Sequence, residues 1–315
     1  MRVLVTGASG FLGRALCPAL AQAGHALRPA VRVPRGLEAE AVVGEVGPDT
    51  DWREALAGCD IVIHLAARVH VMRDDAADPV LAFRSVNTQG TLNLAGQAAE
   101  AGVKRLVFVS TVKVHGEGRE APYSEIDPPE PRDAYAISKW EAEQGLYGIA
   151  RDSGLQVVVL RPPLVYGPGV GANFLRLLRW VEQGLPLPLA SVRNRRSLVY
   201  VGNLVDAIVR CVDDPRAAGQ TFLVADDEAP STPQLIRALA SASGRPARLW
   251  PFPPPLLRIV AASLGRQAEA ERLCGSLVVD TGHLKRTLDW TPPFTLAQGL
   301  NETVEWYARS GRTGR

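Results

Sequence analysis

Val5-Thr6-Gly7-Ala8-Ser9-Gly10-Phe11-Leu12-Gly13 is the stretch that decides the fold. It follows the apolar run Val3-Leu4-Val5, which reads as a buried strand, and opens residues 11–23, which read as a helix. Gly7 allows a tight turn, Gly10 lets the backbone approach a pyrophosphate, and Gly13 lets helix and strand pack closely. The phosphates would face the free N–H groups and positive dipole of the helix N-terminus. Three glycines alone say little, because glycines also end strands for local reasons. The strand–turn–helix context is what gives them weight. Gly7, Ser9, Gly10, Phe11, Leu12 and Gly13 are therefore the first candidate dinucleotide contacts.

The pattern repeats outward from this loop. Ala41-Val42-Val43, Ile61-Val62-Ile63, Leu106-Val107-Phe108-Val109 and Val157-Val158-Val159-Leu160 are short runs without polar alternation. Such runs suit strands covered on both faces of a parallel sheet. Residues 79–101 and 133–153 read as long helices, with Gly102 and Gly154 where each should stop. The alternation predicts an α/β fold with a Rossmann-like, doubly wound parallel sheet. After Leu160 the rhythm breaks at Pro162, Pro163, Pro168, Pro186 and Pro188, and residues 251–255 contain four prolines. We expect a dinucleotide-binding domain over 1–162 and a smaller mixed α/β substrate domain mainly over 163–311. Segments near 195–224 and 278–290 would return to the sheet, and 312–315 would form a tail.

The chain has 315 residues, 46% hydrophobic and 22% charged, which is the balance of a folded globular protein. A net charge of +2, from 35 basic and 33 acidic residues, gives no support to nucleic-acid or membrane binding through bulk charge. No apolar stretch is long enough to span a membrane. Cys17, Cys59, Cys211 and Cys274 lie far apart, without a CxxC pair, so neither a metal site nor a disulfide framework is expected. The chain opens on Arg2-Val3-Leu4-Val5 with no cleavable segment in view, and the cytoplasm is the expected compartment.

Two further stretches carry chemistry. Tyr135-Ala-Ile-Ser-Lys139 lies in a predicted helix, where residues four apart share a face. An ammonium beside a phenol, and beside the cationic nicotinamide of an oxidised cofactor, would favour the phenolate. Upstream, Val107-Phe-Val-Ser110-Thr111 brings hydroxyls to the C-terminal end of a strand, where doubly wound sheets place ligands.

The GxxGxxG spacing resembles the short-chain dehydrogenase/reductase superfamily, and the length suggests its extended branch of nucleotide-sugar epimerases, dehydratases and reductases. The resemblance implies a Thr111–Tyr135–Lys139 catalytic triad, with Ser110 as cofactor wall. His64-Leu65-Ala66-Ala67 resembles the strand end flanking the cofactor, and Arg161-Pro162-Pro163 the loop lining the nicotinamide. Asn87 matches an active-site asparagine, Asn173 a residue approaching the nucleotide diphosphate, and Arg196 and Arg272 arginines that clamp it. Guanidinium geometry suits phosphate oxygens. Where dehydratases of this branch carry an Asp-Glu pair, this chain has Val112 and Lys113, which argues against dehydration and puts Lys113 among the substrate contacts. The runs 68–74 and 110–116 resemble bacterial UDP-sugar 4-epimerase-like proteins and UDP-4-keto-6-deoxy-N-acetylhexosamine 4-ketoreductases.

Leu27-Arg28-Pro29-Ala30-Val31-Arg32 ends without the carboxylate that would hold the adenosine ribose hydroxyls. Arg32 could pair with a 2′-phosphate instead, so NADP is the expected cofactor and NAD the alternative. That favours net reduction of a UDP-4-keto sugar, a precursor of surface polysaccharide, over a UDP-hexose 4-epimerase. A non-catalytic dinucleotide sensor and a small-ketone reductase are the readings outside nucleotide-sugar chemistry. A homodimer is expected through the two long helices, which offer Leu92, Ala95 and Ala99 on one and Trp140, Leu146 and Ile149 on the other.

Overall fold

In a computed structural model, which describes residues 1–69 and 78–310, each apolar run of the first half becomes a parallel strand. Residues 70–74 of the run singled out above, and the tail 312–315, lie outside the described residues. The chain runs β1 (Arg2–Thr6), α1 (Phe11–Gln22), β2 (Ala26–Val31), β3 (Ala41–Val42), α2 (Arg53–Leu56) and β4 (Ile61–His64). Then come α3 (Pro79–Phe83), a π-turn (Arg84–Gln89), α4 (Gly90–Glu100), β5 (Arg105–Val109) and a 3₁₀ turn (Val112–His115). Next are α5 (Ala134–Ser153), β6 (Gln156–Arg161), β7 (Leu164–Tyr166), α6 (Ala172–Glu182), β8 (Leu198–Tyr200), α7 (Val201–Asp213) and β9 (Thr221–Leu223). The end is helical, with α8 (Thr232–Ala242), α9 (Pro254–Ser263), α10 (Gln267–Cys274), α11 (Gly282–Leu288) and α12 (Leu296–Ser310).

Among the described residues seven strands form one sheet in the order β3-β2-β1-β4-β5-β6-β9, all pairs parallel. This is a Rossmann-like doubly wound fold. Strand alternation divides the core. Val3, Val5, Ile61, Ile63, Val107 and Val158 pack with α1 and α7 on one face. Leu4, Val62, Leu106, Phe108 and Val159 pack with α4 and α5 on the other. Each fully buried aliphatic contributes roughly 1.5–3 kcal/mol, and covering both faces explains why these strands lack polar alternation. Register then sets the site. Thr6 lies opposite His64, and His64 opposite Phe108, so the residues that follow β1, β4, β5 and β6 emerge at one edge.

Residues 197–201 and 221–224 go different ways. β9 extends the main sheet, whereas β8 pairs with β7 in a separate two-stranded sheet. Asp226 joins the two parts by accepting from Tyr166 Oη at 2.9 Å, Tyr200 N at 2.9 Å and Asn203 Nδ2 at 2.7 Å.

The helix expected over 79–101 is interrupted. Its middle is a π-turn in which Arg84 pairs with Glu141 at 2.5 Å and Thr88 donates to Ser138 O at 2.9 Å. Polar anchoring to α5 replaces regular winding there, which apolar periodicity does not register. The apolar residues expected to pair two copies are largely engaged within one chain. Ala95 and Leu146 lie in the core, and Leu92 packs so closely on α5 that a Cβ at Gly145 would meet it at 2.4 Å. No described helix is long and apolar enough to cross a membrane.

His64, fully buried, ties β1 and β4 to α4. Thr6 Oγ1 accepts from Leu65 N and Ala66 N, both at 3.1 Å, which leaves its proton for His64 Nδ1 at 2.7 Å. Thr91 gives its own proton to Asn87 O at 2.7 Å, so His64 Nε2 must be the donor to Thr91 Oγ1 at 3.0 Å. The ring is thus the neutral Nε2–H tautomer. Burial, with the Lys139 charge adding to it, lowers its pKa from 6.5 to about 3. The unfolded chain takes up this proton near pH 6.5 and the folded chain does not, so stability falls as pH drops from 6.5 toward 3. We predict that His64→Gln shrinks the difference in urea-unfolding free energy between neutral and mildly acidic buffer by roughly 1–2 kcal/mol. An unchanged difference would show that His64 is not the titrating group.

Candidate active site

The glycine loop has the shape that its spacing implies. Gly7 sits at φ 67°, and a Cβ there would meet Ala66 N at 2.9 Å. A Cβ at Gly13 would meet Gly7 O at 2.4 Å and Ala8 O at 2.5 Å, so helix and strand touch only because it is absent. Gly10 donates to Gly7 O at 2.9 Å and stands exposed as the N-cap of α1. It brings no side chain to cap the helix, and no acidic residue lies in the first turn. Those N–H groups are therefore available to an anion. Leu65, Ala66 and Ala67 line the neighbouring strand end, half-buried. The donor set and the glycine geometry fit a dinucleotide pyrophosphate.

Arg32 is the first residue past β2, two-thirds exposed, and its Nη1 lies 3.2 Å from Glu45 Oε1. Its partner lies 13 residues on and is itself 80% exposed, so the contact is a solvated surface pair worth about 0–1 kcal/mol, weak enough for a 2′-phosphate to displace.

The reactive pair opens α5. Asp133 caps this helix by accepting from Ala136 N at 2.7 Å, and Gly154 ends it at φ 76°. Tyr135 is half-buried, with Phe83 edge-on to its ring at 6.3 Å. One turn on, Lys139 is buried with Nζ 4.0 Å from the centre of the Phe108 ring. Burial pulls the ammonium from 10.5 down to about 7, and Glu143 partly offsets that pull. Burial, with the Asp133 carboxylate adding to it, pushes the Tyr135 phenol above its ordinary value. In the chain alone the neutral phenol is favoured; the expected phenolate depends on the positive charge that Lys139 and an oxidised nicotinamide would bring together.

The helix face continues to a residue that the sequence reading did not single out. Glu143, four beyond Lys139, is fully buried and paired with Arg161, Nη2 to Oε2 being 2.5 Å. Ser110 donates to Glu143 Oε1, and Arg161 Nη1 donates to His115 Nε2 at 2.9 Å. Four-residue spacing from Lys139 was the available signal. Ser110 is thus fixed by Glu143, and Pro162 beside it accepts from Val112 N at 3.0 Å. Thr111 follows β5 on the same edge, nearly buried, and caps the 3₁₀ turn by accepting from Lys113 N at 3.3 Å.

The expected substrate contacts divide. Lys113 Nζ lies 2.7 Å from Asp133 and 3.5 Å from Glu117. Glu117 also lies 3.8 Å from Arg196, which donates to Gly275 O at 3.1 Å. Burial, assisted by the like charge of Arg272 on α10, lowers the Arg196 pKa against the pull of Glu117. Lys113 and Arg196 thus share one carboxylate, Glu117, a second residue that motif reading missed, and Arg272 lies near enough to Arg196 to oppose its charge. Asn173, at the start of α6, accepts from Arg176 at 2.9 Å. Asn87 is a correction. Its Oδ1 accepts from Arg68 N at 2.8 Å, while Nδ2 donates to Arg68 O and Ser138 Oγ, both at 3.0 Å. It is 1% exposed and both amide protons are committed, so it positions backbone and has no proton left for a substrate.

Comparison with known proteins agrees with this geometry. Residues 3–225 match the NAD dependent epimerase/dehydratase family, and the chain belongs to it. It is 43% identical to the UDP-glucose 4-epimerase of Vibrio cholerae, covering 98% of this chain and 96% of that one. It is 28% identical to the N-acetyl-alpha-D-glucosaminyl-diphospho-ditrans,octacis-undecaprenol 4-epimerase of Escherichia coli O157:H7, covering 96% and 94%. The crystal structure of UDP-glucuronic acid 4-epimerase from Bacillus cereus in complex with NAD superimposes with a TM-score of 0.81. That likeness covers 99% and 98% of the chains at 20% identity, a likeness of fold.

Lys139 is predicted to cost stability where it must be charged. Its folded pKa is depressed, so the penalty is complete below about 7 and fades as pH rises toward 10.5. Lys139→Met should therefore raise the unfolding free energy of the cofactor-free protein in mildly acidic buffer. The gain should shrink by roughly 1–3 kcal/mol in mildly alkaline buffer. A gain independent of pH would place the ammonium in water.

Proposed function

We propose that this enzyme oxidises and re-reduces C4 of a UDP-hexose, acting as a 4-epimerase. The observation that carries the reading is the buried Lys139 one turn below Tyr135, at the sheet edge where the glycine loop opens α1. Bound along that loop, NAD supplies hydride acceptance and return, and its oxidised ring adds positive charge. In this reading Tyr135 Oη exchanges the proton of the C4 hydroxyl, and Thr111 orients that hydroxyl. Lys139 supplies positive charge against the burial that keeps the phenol neutral. Ser110 and Pro162 wall the nicotinamide end. Arg196, Arg272 and Lys113 neutralise the diphosphate, in a cleft between the sheet and residues 163–311.

Epimerisation is preferred to net reduction on two grounds. The Vibrio cholerae relative, alike over nearly the whole chain, is named a UDP-glucose 4-epimerase. The family that matches is described as NAD dependent, which favours NAD over NADP. Reduction of a UDP-4-keto-6-deoxy-N-acetylhexosamine with NADPH is the second reading, favoured because β2 ends without a carboxylate. Either product suits the supply of surface-polysaccharide precursors, since the Escherichia coli relative is named for a lipid-linked sugar.

Purified enzyme should interconvert UDP-glucose and UDP-galactose, or their N-acetyl forms, with no net change in nicotinamide absorbance. Tyr135→Phe should lower turnover by roughly three orders of magnitude or more while cofactor affinity barely changes. Stoichiometric NADPH consumption on a 4-keto sugar, without interconversion, would select the reductase. Near-normal turnover in Tyr135→Phe would remove the phenol from the chemistry.

A further inference from the structure

The balanced charge of the whole chain conceals a segregated segment. Between Glu228 and Glu269 there is no Asp or Glu, while Arg237, Arg245, Arg248, Arg258 and Arg266 fall within it. All five are exposed, and none forms an ion pair among the described residues. The same segment carries the largest group of exposed apolar side chains. On α9, Leu256, Ile259 and Val260 stand 48–65% exposed, and Leu264, just past its end, 68%. Trp250 is 46% exposed beside Phe252.

The periodicity of α9 explains why this face is spare. Pro254, Leu257 and Ala261 form a half-buried stripe at helical spacing, through which Leu257 packs on the main core. Leu256, Ile259/Val260 and Leu264 form a second stripe, 48–68% exposed and part of no core cluster, and α9 has no fully buried residue. A helix apolar all round is ordinarily enclosed. Here one side is half-buried and the other faces out, on a segment whose charged residues are all arginines.

We propose that α9, with Trp250, is a docking face for an anionic lipid surface. Apolar side chains that enter the headgroup boundary, with arginines reaching back to phosphates, describe an interfacial helix. A second copy of the chain is the poorer occupant. Twofold pairing of this face would set Arg258 and Arg266 against their own equivalents, with no acid in the segment to meet them. A lipid surface supplies the missing negative charge, each exposed arginine near it adding to the attraction. α10 continues directly from this segment and carries Arg272 beside Arg196, so docking would hold the diphosphate cleft close to the membrane plane.

The test is co-sedimentation of the full-length protein with vesicles of phosphatidylcholine alone, or mixed equally with phosphatidylglycerol. Wild type should pellet with the mixed vesicles, and raised salt should release it. Ile259→Ser with Leu264→Ser, and separately Arg258→Gln with Arg266→Gln, should each cut partitioning by roughly tenfold or more. Both pairs should leave turnover on the soluble substrate and the circular dichroism spectrum unchanged. Absence of wild-type binding to mixed vesicles, or equal binding by the variants, would overturn the proposal. So would light scattering in which the Ile259/Leu264 variant breaks up an oligomer, because the face would then be covered by a second copy.

Discussion

A carboxylate that water cannot reach must find its counter-charge inside the fold, and Glu143 finds it in Arg161. Removing one member of such a pair costs about 3–5 kcal/mol, because the other is left charged in a dry interior. Here the pair also fixes geometry. Glu143 sits on α5 one turn past Lys139, Arg161 ends β6, and Ser110 directly follows β5 with its hydroxyl turned to the carboxylate. The ends of β5 and β6 and the body of α5, which carry the reactive groups, are thus locked to one buried charge.

A neutral chain of hydrogen bonds makes the matching connection from the phosphate loop. Thr6, at the foot of the glycine turn, donates to His64, and His64 to Thr91. Thr91 donates to the carbonyl of Asn87, whose amide donates to Ser138, and Ser138 returns its proton to Tyr135 O at 2.8 Å. Five side chains therefore link the turn that would hold a pyrophosphate to the backbone of the phenol. The π-turn is the piece of helix that carries Asn87 into this relay.

Much of this was legible in sequence, for physical reasons that also mark the limits. Strands buried on both faces must be continuously apolar, so β1, β4, β5 and β6 announce themselves. A pyrophosphate turn needs glycine where a Cβ would strike backbone, as Gly7 and Gly13 demonstrate. Long-range pairing leaves no such local mark. Nothing near Arg32 names Glu45, and nothing near Asn87 says that Arg68 and Ser138 take both amide protons. The π-turn, Arg84–Gln89, is held by polar contacts to α5 that no apolar spacing marks. The direction of the Tyr135 shift depends on burial, which a motif does not encode. Net charge, being a sum, hid the separation of arginines from acids around α9.

The proposed epimerisation turns on one event, the departure of hydride from C4 and its return to the same carbon within a closed site. UDP-glucose carrying deuterium at C4 measures it directly, with the product examined by proton NMR in ordinary water. The galacto epimer should form with its deuterium retained at C4, since the site returns to the sugar the hydride that left it. Product with protium at C4, or deuterium appearing in solvent, would mean a proton was lost and regained, and would contradict the assignment of this site to C4 oxidation and re-reduction.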